Sequence, residues 1–405
     1  MTPRISRLSK RGSFWASASV LALCLWASGA PSVLYPTYAA EWELSSTVIT
    51  TIFATYPVVL LVVLLVFGSI SDTIGRRRAM LAGVGLILVS GLVFTAAPDV
   101  AWLYIGRALQ GAGAGLAIGA ASASLVENNT SSNPRLASSL TTASTALGLT
   151  LALLVSGSLA QYAPLPEQLS YGVLVFLSGV VFVAVFMMPQ QAPDARVTPW
   201  RPQALHVPRP ALRVFVVATL AVSVAYSVGA VFLSLGASIA RELTGTTNLL
   251  VIGALLAISS IMIGITAIVL QRIHSHLAVI VGAVVSLGGL ALLELCASTG
   301  SIALFLLWCI VGGVGYSLVF MGGLGLISRA TEPRHRGATL SALYLFSYLF
   351  QAGTAIGAGV LATALGLAVS VDVIAPLVGI LALLTAILAG VDWRVRARSQ
   401  VPLAQ

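Results

Sequence analysis

Eleven stretches of this chain carry no Asp, Glu, Lys or Arg, and each is long enough to cross a lipid bilayer. They lie between Arg11 and Glu41, Glu43 and Asp72, Arg78 and Asp99, Arg135 and Glu167, and Glu167 and Asp194. The others lie between Arg213 and Arg241, Glu242 and Arg272, Arg272 and Glu294, Glu294 and Arg329, Arg336 and Asp372, and Asp372 and Asp392. A hydrocarbon core of ~30 Å takes about 20 helical residues, so each interval accommodates one span and a turn. The stretch from Asp99 to Glu127 adds a span interrupted only by Arg107. In chain order these are helices 1 to 12, with the Arg107 span as helix 4. Charged residues make up 8% of the 405 positions and hydrophobic ones 58%, with a mean hydropathy of +1.01. A soluble domain keeps roughly 25% of its residues charged, so this chain could not cover a water-facing surface.

The basic residues orient the spans. Arg4, Arg7, Lys10 and Arg11 precede helix 1, Arg76, Arg77 and Arg78 follow helix 2, and Arg135 follows helix 4. Arg196, Arg201, Arg209 and Arg213 separate helices 6 and 7, Arg272 follows helix 8, and Arg329, Arg334 and Arg336 follow helix 10. Arg394, Arg396 and Arg398 follow helix 12. All these segments share one side if twelve helices span, and the opposite loops hold Arg241 against six acids. By the positive-inside rule the basic side is the cytoplasm, which predicts a multi-pass inner-membrane protein with both termini inside. Topology thus accounts for the net charge of +9, and no nucleic-acid partner is expected.

The basic, then apolar, start of the chain has the look of a secretory signal, but its apolar run from Phe14 to about Tyr38 is too long for one and eleven spans follow. Cys24, Cys296 and Cys309 fall within or at the ends of spans and read as apolar packing residues, not as a disulfide or metal set. No cofactor and no metal are expected.

A shift of 200 residues superimposes the two halves. Gly29-Ala30 falls on Gly229-Ala230, Glu41-Trp42 on Arg241-Glu242, Gly113 and Gly115 on Gly313 and Gly315, and Gly157 on Gly357. Ser139-Leu140-Thr141 likewise falls on Thr339-Leu340-Ser341. Repeats of six helices have parallel topology and relate by an axis along the membrane normal, with a substrate site between them near the midplane. The expected division is a first six-helix bundle over 1–189, a proline- and arginine-rich cytoplasmic linker over 190–211, and a second bundle with its tail over 212–405.

After helix 2 the chain reads Gly68-Ser-Ile-Ser-Asp72-Thr-Ile-Gly75-Arg76-Arg77-Arg78, and helix 4 carries Arg107-Ala-Leu-Gln110-Gly111. The first resembles the signature loop of the major facilitator superfamily and the second resembles that family's arginine-glutamine-glycine motif. The resemblance covers nearly the whole chain and implies an all-α membrane protein of twelve helices in two pseudo-symmetric bundles. It also implies that Asp72 faces the N-terminus of helix 11 near Gly337, that Arg76 pairs with Glu127, and that these contacts form a gating latch. An acid facing a helix N-terminus contributes ~0.3–1 kcal/mol when exposed and up to ~2 when partly buried. Gly68 is read as permitting close helix approach, and Gly75 as permitting a tight turn. The matching stretch of the second half, Leu270 to His276, has lost the pattern.

Gly111, Gly115 and Gly119 in helix 4, with Gly353 and Gly357 in helix 11, are read as small packing faces. They are not a phosphate-binding loop, because no Lys-Ser or Lys-Thr follows and no strand precedes them. The energy source is therefore expected to be a gradient. The exporter motif of the resembling family places a proline in helix 5, and Ala146 to Gly157 has none.

By the same resemblance helices 1, 4, 7 and 10 line the pocket. Candidate coupling or cavity residues are Tyr35, Arg107, Gln110, Tyr226, Trp308, Tyr344, Tyr348 and Gln351, the last three on one face of helix 11. Aromatics, hydroxyls and amides with few charges suit a neutral or amphipathic ligand. Arg107 and Glu294 are the ionisable residues within spans, and Glu294 is placed at the outer headgroups. The expectation is a monomeric secondary transporter in the lipid bilayer, exporting a small-molecule substrate such as a drug or metabolite in exchange for protons. Uptake of a sugar-like metabolite and a non-transporting sensor are the alternatives. No paired carboxylates or nucleophile constellation occurs in the spans, so no enzymatic activity is expected.

Overall fold

The computed structural model describes residues 7–68, 70–131, 135–190, 207–331 and 333–399, and of 72, 135–139, 210, 333–338 and 397–399 the backbone alone. Most of the expected linker, and the side chain of Asp72, lie outside the described residues.

Twelve helices are long and apolar enough to span a membrane, and no strand occurs among the described residues. Helices 1 to 6 are Lys10–Glu41, Ser46–Phe67, Arg76–Thr95, Val100–Glu127, Arg135–Tyr162 and Pro166–Phe186. Helices 7 to 12 are Leu212–Thr244, Leu249–Val269, Ser275–Thr299, Ile302–Ala330, Pro333–Leu365 and Leu367–Ser399. Starts follow local chemistry. The side chains of Ser9, Ser45, Asp99 and Asn248 each accept a backbone N–H two or three residues on, satisfying donors that have no partner in the first turn. Helix 1 is interrupted by a 3-10 turn, Ala30–Val33, where Pro31 withdraws its N–H, and resumes as Tyr35–Glu41. Within each bundle successive helices run antiparallel, and the two bundles repeat the same order. The start of helix 1 and the end of helix 12 therefore share one end of the molecule, the basic end, opposite the far end.

Helices 1 and 7 are the most enclosed, with 83% of the 18-residue apolar stretch of each buried, which makes them the centre of their bundles. One hydrophobic cluster fills the first bundle and two fill the second. The clusters cross the boundary: Ala230 and Ala355 join the first, and Val33 and Leu153 join the second bundle's far-end cluster. Cys24, Cys296 and Cys309 are buried free thiols.

Packing corrects the repeat register. A Cβ on Gly111 would strike the Tyr56 carbonyl of helix 2, and one on Gly313 the Ser259 carbonyl of helix 8. Gly113 packs on Gly83 and Ile87 of helix 3, and Gly315 on Ser286 of helix 9. Gly111 is thus the counterpart of Gly313 and Gly113 that of Gly315, two residues away from the pairing expected from a 200-residue shift. The same holds for helix 5: Gly157 meets Leu249 at the start of helix 8, and its counterpart against Ser46 and Thr50 of helix 2 is Gly359, not Gly357. Glycines at alternate positions match under either shift, and only the surface each one touches separates them. Gly119 and Gly353 have nothing within 4 Å of a Cβ position, so they serve no close packing. At Gly68 the first atom a Cβ would meet is the Leu64 carbonyl of its own helix.

Candidate functional site

Arg107 sits about 10 Å along helix 4 from Val100 and is fully buried. Its guanidinium donates to the Ser28 carbonyl of helix 1 at 3.1 Å, to Gln110 Oε1 at 2.9 Å and to the Phe53 carbonyl of helix 2 at 3.5 Å. The rings of Phe53 and Tyr56 lie 5.6 and 4.8 Å from it. One planar fork therefore ties helix 4 to helices 1 and 2. The interruption of helix 1 just beyond Ser28 brings Tyr35, buried, within electrostatic range of the guanidinium.

In the second bundle four tyrosines and a phenylalanine meet near mid-depth. Tyr226 of helix 7 lies 4.8 Å from Tyr348 of helix 11 between ring centroids, with hydroxyls 3.5 Å apart. Phe320 of helix 10 stacks with Tyr226 at 5.9 Å and Tyr316 at 6.0 Å, and Tyr344 lies 6.1 Å from Tyr348. Tyr348 also packs against the first bundle's cluster, which contains Tyr56, so it stands where the halves meet. Gln351 Oε1 is buried with no hydrogen-bond partner. Of the sequence candidates, Tyr226, Tyr344 and Tyr348 come together here, and Arg107, Gln110 and Tyr35 gather in the first bundle. Trp308 joins neither group. It packs 5.4 Å from Phe232 and 5.3 Å from Phe305 inside the second bundle's far-end core.

At the far end the halves are stitched by a symmetric pair of contacts that sequence reasoning did not find. Thr363 Oγ1 accepts the Thr47 backbone N–H at 2.8 Å, and Gln161 Oε1 accepts the Leu249 backbone N–H at 2.8 Å. Thr47 Oγ1 also bonds to Thr363 Oγ1 at 2.8 Å, and Asn248 Nδ2 donates to Tyr162 Oη at 3.3 Å. Each half thus caps the first turn of the other half's second helix, filling donors that every helix start leaves open. The signal available in the sequence was the shift of 202 that places Thr363 on Gln161.

At the basic end Gly75 has φ +92, a conformation L side chains rarely adopt, and it turns the chain into helix 3. Arg76 then meets Glu127 at 3.2 Å and donates to Ser71 Oγ at 2.6 Å. Arg77 donates to the Val185 carbonyl at 3.3 Å and to the Phe186 carbonyl at the end of helix 6. In the second half His276, at the start of helix 9, bonds Asp392 of helix 12 at 2.8 Å. The lost loop pattern there is therefore replaced by a different tether, one that conserves the helix 3–6 contact and not the latch. Glu294 is exposed near the far end of helix 9.

A bacterial homologue of the human lysosomal transporter Spinster, solved inward-facing and unoccupied, superimposes with a TM-score of 0.72 at 11% identity over 100% of both chains. The inward-facing, occupied form gives 0.68 at 11% identity over 96% of this chain and 98% of that one. At that identity the likeness shows the fold alone. No curated protein matches the sequence. The Major Facilitator Superfamily model matches residues 16–349, most of the chain from helix 1 into helix 11, and the protein therefore belongs to that superfamily of secondary membrane transporters.

Proposed function

We propose that this transporter exports a small, largely uncharged or amphipathic compound, a drug or metabolite, by alternating access in exchange for protons. The bundles over 1–189 and 212–405 rock about the interface, the 190–211 segment links them, and one monomer suffices. The observation that carries the reading is the tyrosine cluster at the meeting of the halves. Aromatic faces with hydroxyls and a free amide oxygen suit an apolar body bearing one or two polar groups. The positive-inside rule places the far end outside the inner membrane and both termini in the cytoplasm. An exporter sealed at the far end by the Thr47–Thr363 and Gln161–Leu249 contacts loads its substrate from the cytoplasm.

The test is a susceptibility and dye-efflux panel in cells lacking their own pumps. Expression should raise resistance to at least one amphipathic compound, Tyr348→Ala should remove most of that resistance, and collapsing the pH gradient should raise retention of the same compound. Accumulation on expression would replace export by uptake. Efflux unchanged by collapse of the gradient would replace protons by another driving force.

A further inference from the structure

Arg107 is a buried cation with no buried anion. None of the described acids stands within salt-bridge distance of it, and the first bundle's acids, Glu41, Glu43, Asp72, Asp99, Glu127 and Glu167, all occupy helix ends or turns. Burying a charge without a counter-charge costs several kcal/mol even after carbonyls and ring faces solvate it. The surroundings hold a second imbalance. Arg107 Nε, Gln110 Nε2, Ser32 Oγ and Tyr35 Oη are all buried and all lack a hydrogen-bond partner. Their residues are 0%, 0%, 1% and 2% exposed. Arg107 and Gln110 share one place, because Gln110 Oε1 accepts from Arg107, and Tyr35 lies within electrostatic range of the same guanidinium. Ser32 lies in the 3-10 turn Ala30–Val33, between Ser28, whose carbonyl accepts from Arg107, and Tyr35.

Two of these four groups can only donate, and both hydroxyls can do so. Unsatisfied buried donors are rare in native proteins. A water molecule could accept from two of them but would leave the positive charge uncompensated. A monovalent anion answers both imbalances, accepting several donors and supplying one negative charge. A doubly charged oxyanion would reverse the imbalance instead of removing it.

We infer that Arg107, Gln110, Ser32 and Tyr35 form a binding site for a monovalent anion, either a free halide or the single carboxylate of an amphipathic substrate. In the second case the charged head lies in the first bundle and the apolar body reaches Tyr56 and the tyrosines beyond it. Only this substrate arm rests on the proposed carrier function.

The test is thermal unfolding of the full-length protein in nanodiscs at fixed ionic strength, with chloride, benzoate, gluconate and the uncharged benzyl alcohol as probes. Chloride or benzoate should raise the unfolding temperature in a saturable way, and gluconate and benzyl alcohol should not. Arg107→Gln should abolish the effect. Tyr35→Phe, which keeps the ring and the charge, should raise the half-saturating concentration about tenfold or more, as for loss of one hydrogen bond to an ion. Ser32→Ala provides the same measurement should Arg107→Gln not fold. Saturation by chloride supports the site with the solvent as source. Saturation by benzoate alone supports it with the substrate as source. No anion-specific shift, or one unchanged in Tyr35→Phe and Ser32→Ala, overturns the site and leaves water as its occupant. Binding is read here without transport, so its failure is distinct from a failure of Tyr348→Ala to reduce efflux.

Discussion

Thr363, near the far end of helix 11, caps the start of helix 2 by accepting the Thr47 N–H at 2.8 Å. Gln161 of helix 5 does the same for Leu249 of helix 8. An orphan N–H at a helix start can be satisfied by water when the halves part, so these bonds close the far end without making closure irreversible.

Replacing both acceptors, as Thr363→Val with Gln161→Leu, removes two bonds of about 1 kcal/mol each. The far-end-open population should rise by about thirtyfold. Spin-label distances between the far ends of helices 2 and 11 would lengthen in the double variant. An unchanged distance distribution would show that apolar packing alone holds the seal.

Arg107→Lys keeps the charge but cannot reach the Ser28 carbonyl and Gln110 with a planar fork, whereas Arg107→Gln keeps hydrogen bonding and loses the charge. If the charge serves coupling, Lys retains part of the transport and Gln almost none. Transport by Arg107→Gln at the wild-type rate would leave the residue a tie between helices 1, 2 and 4.

The Arg76–Glu127 pair is partly exposed, with side chains 23% and 40% accessible, so it contributes ~0–1 kcal/mol to stability. Asp72→Asn and Glu127→Gln should therefore insert and accumulate normally while transport falls strongly. Full activity in both variants would reduce the loop to a set of topogenic charges.

Two glycines separate packing from composition. A Cβ at Gly148 would run into the Ala22 carbonyl of helix 1, so Gly148→Ala should cost about 1–3 kcal/mol and lower the melting temperature. Gly119 faces open space, and Gly119→Ala should leave stability within ~1 kcal/mol of wild type. Equal melting temperatures for the two variants would refute the helix 1–helix 5 contact.

Membrane insertion is decided locally, one span at a time, and for that reason the charge-free intervals returned eleven helices and the stretch around Arg107 the twelfth. The signature loop was legible for a similar reason. A turn needing positive φ selects glycine at residue 75, and Arg76 and Glu127 close the same end of adjacent helices. Arg107 was marked out because an intramembrane charge is costly wherever it is placed.

The sequence alone therefore determined the span count, the fold and the superfamily, all of which follow from solvation and from short motifs. Contacts between spans carry no such mark. Any of several tyrosines could have faced the interface, and tertiary packing alone brought Tyr226, Tyr316, Tyr344 and Tyr348 together while placing Trp308 in the core. The repeat register was ambiguous by two residues until Gly113 was seen on helix 3 and Gly315 on helix 9. Thr363 and Gln161 differ in chemistry and share only the acceptor oxygen they present to a helix start, so the 202-residue shift that aligns them gained its meaning only from the contacts in three dimensions.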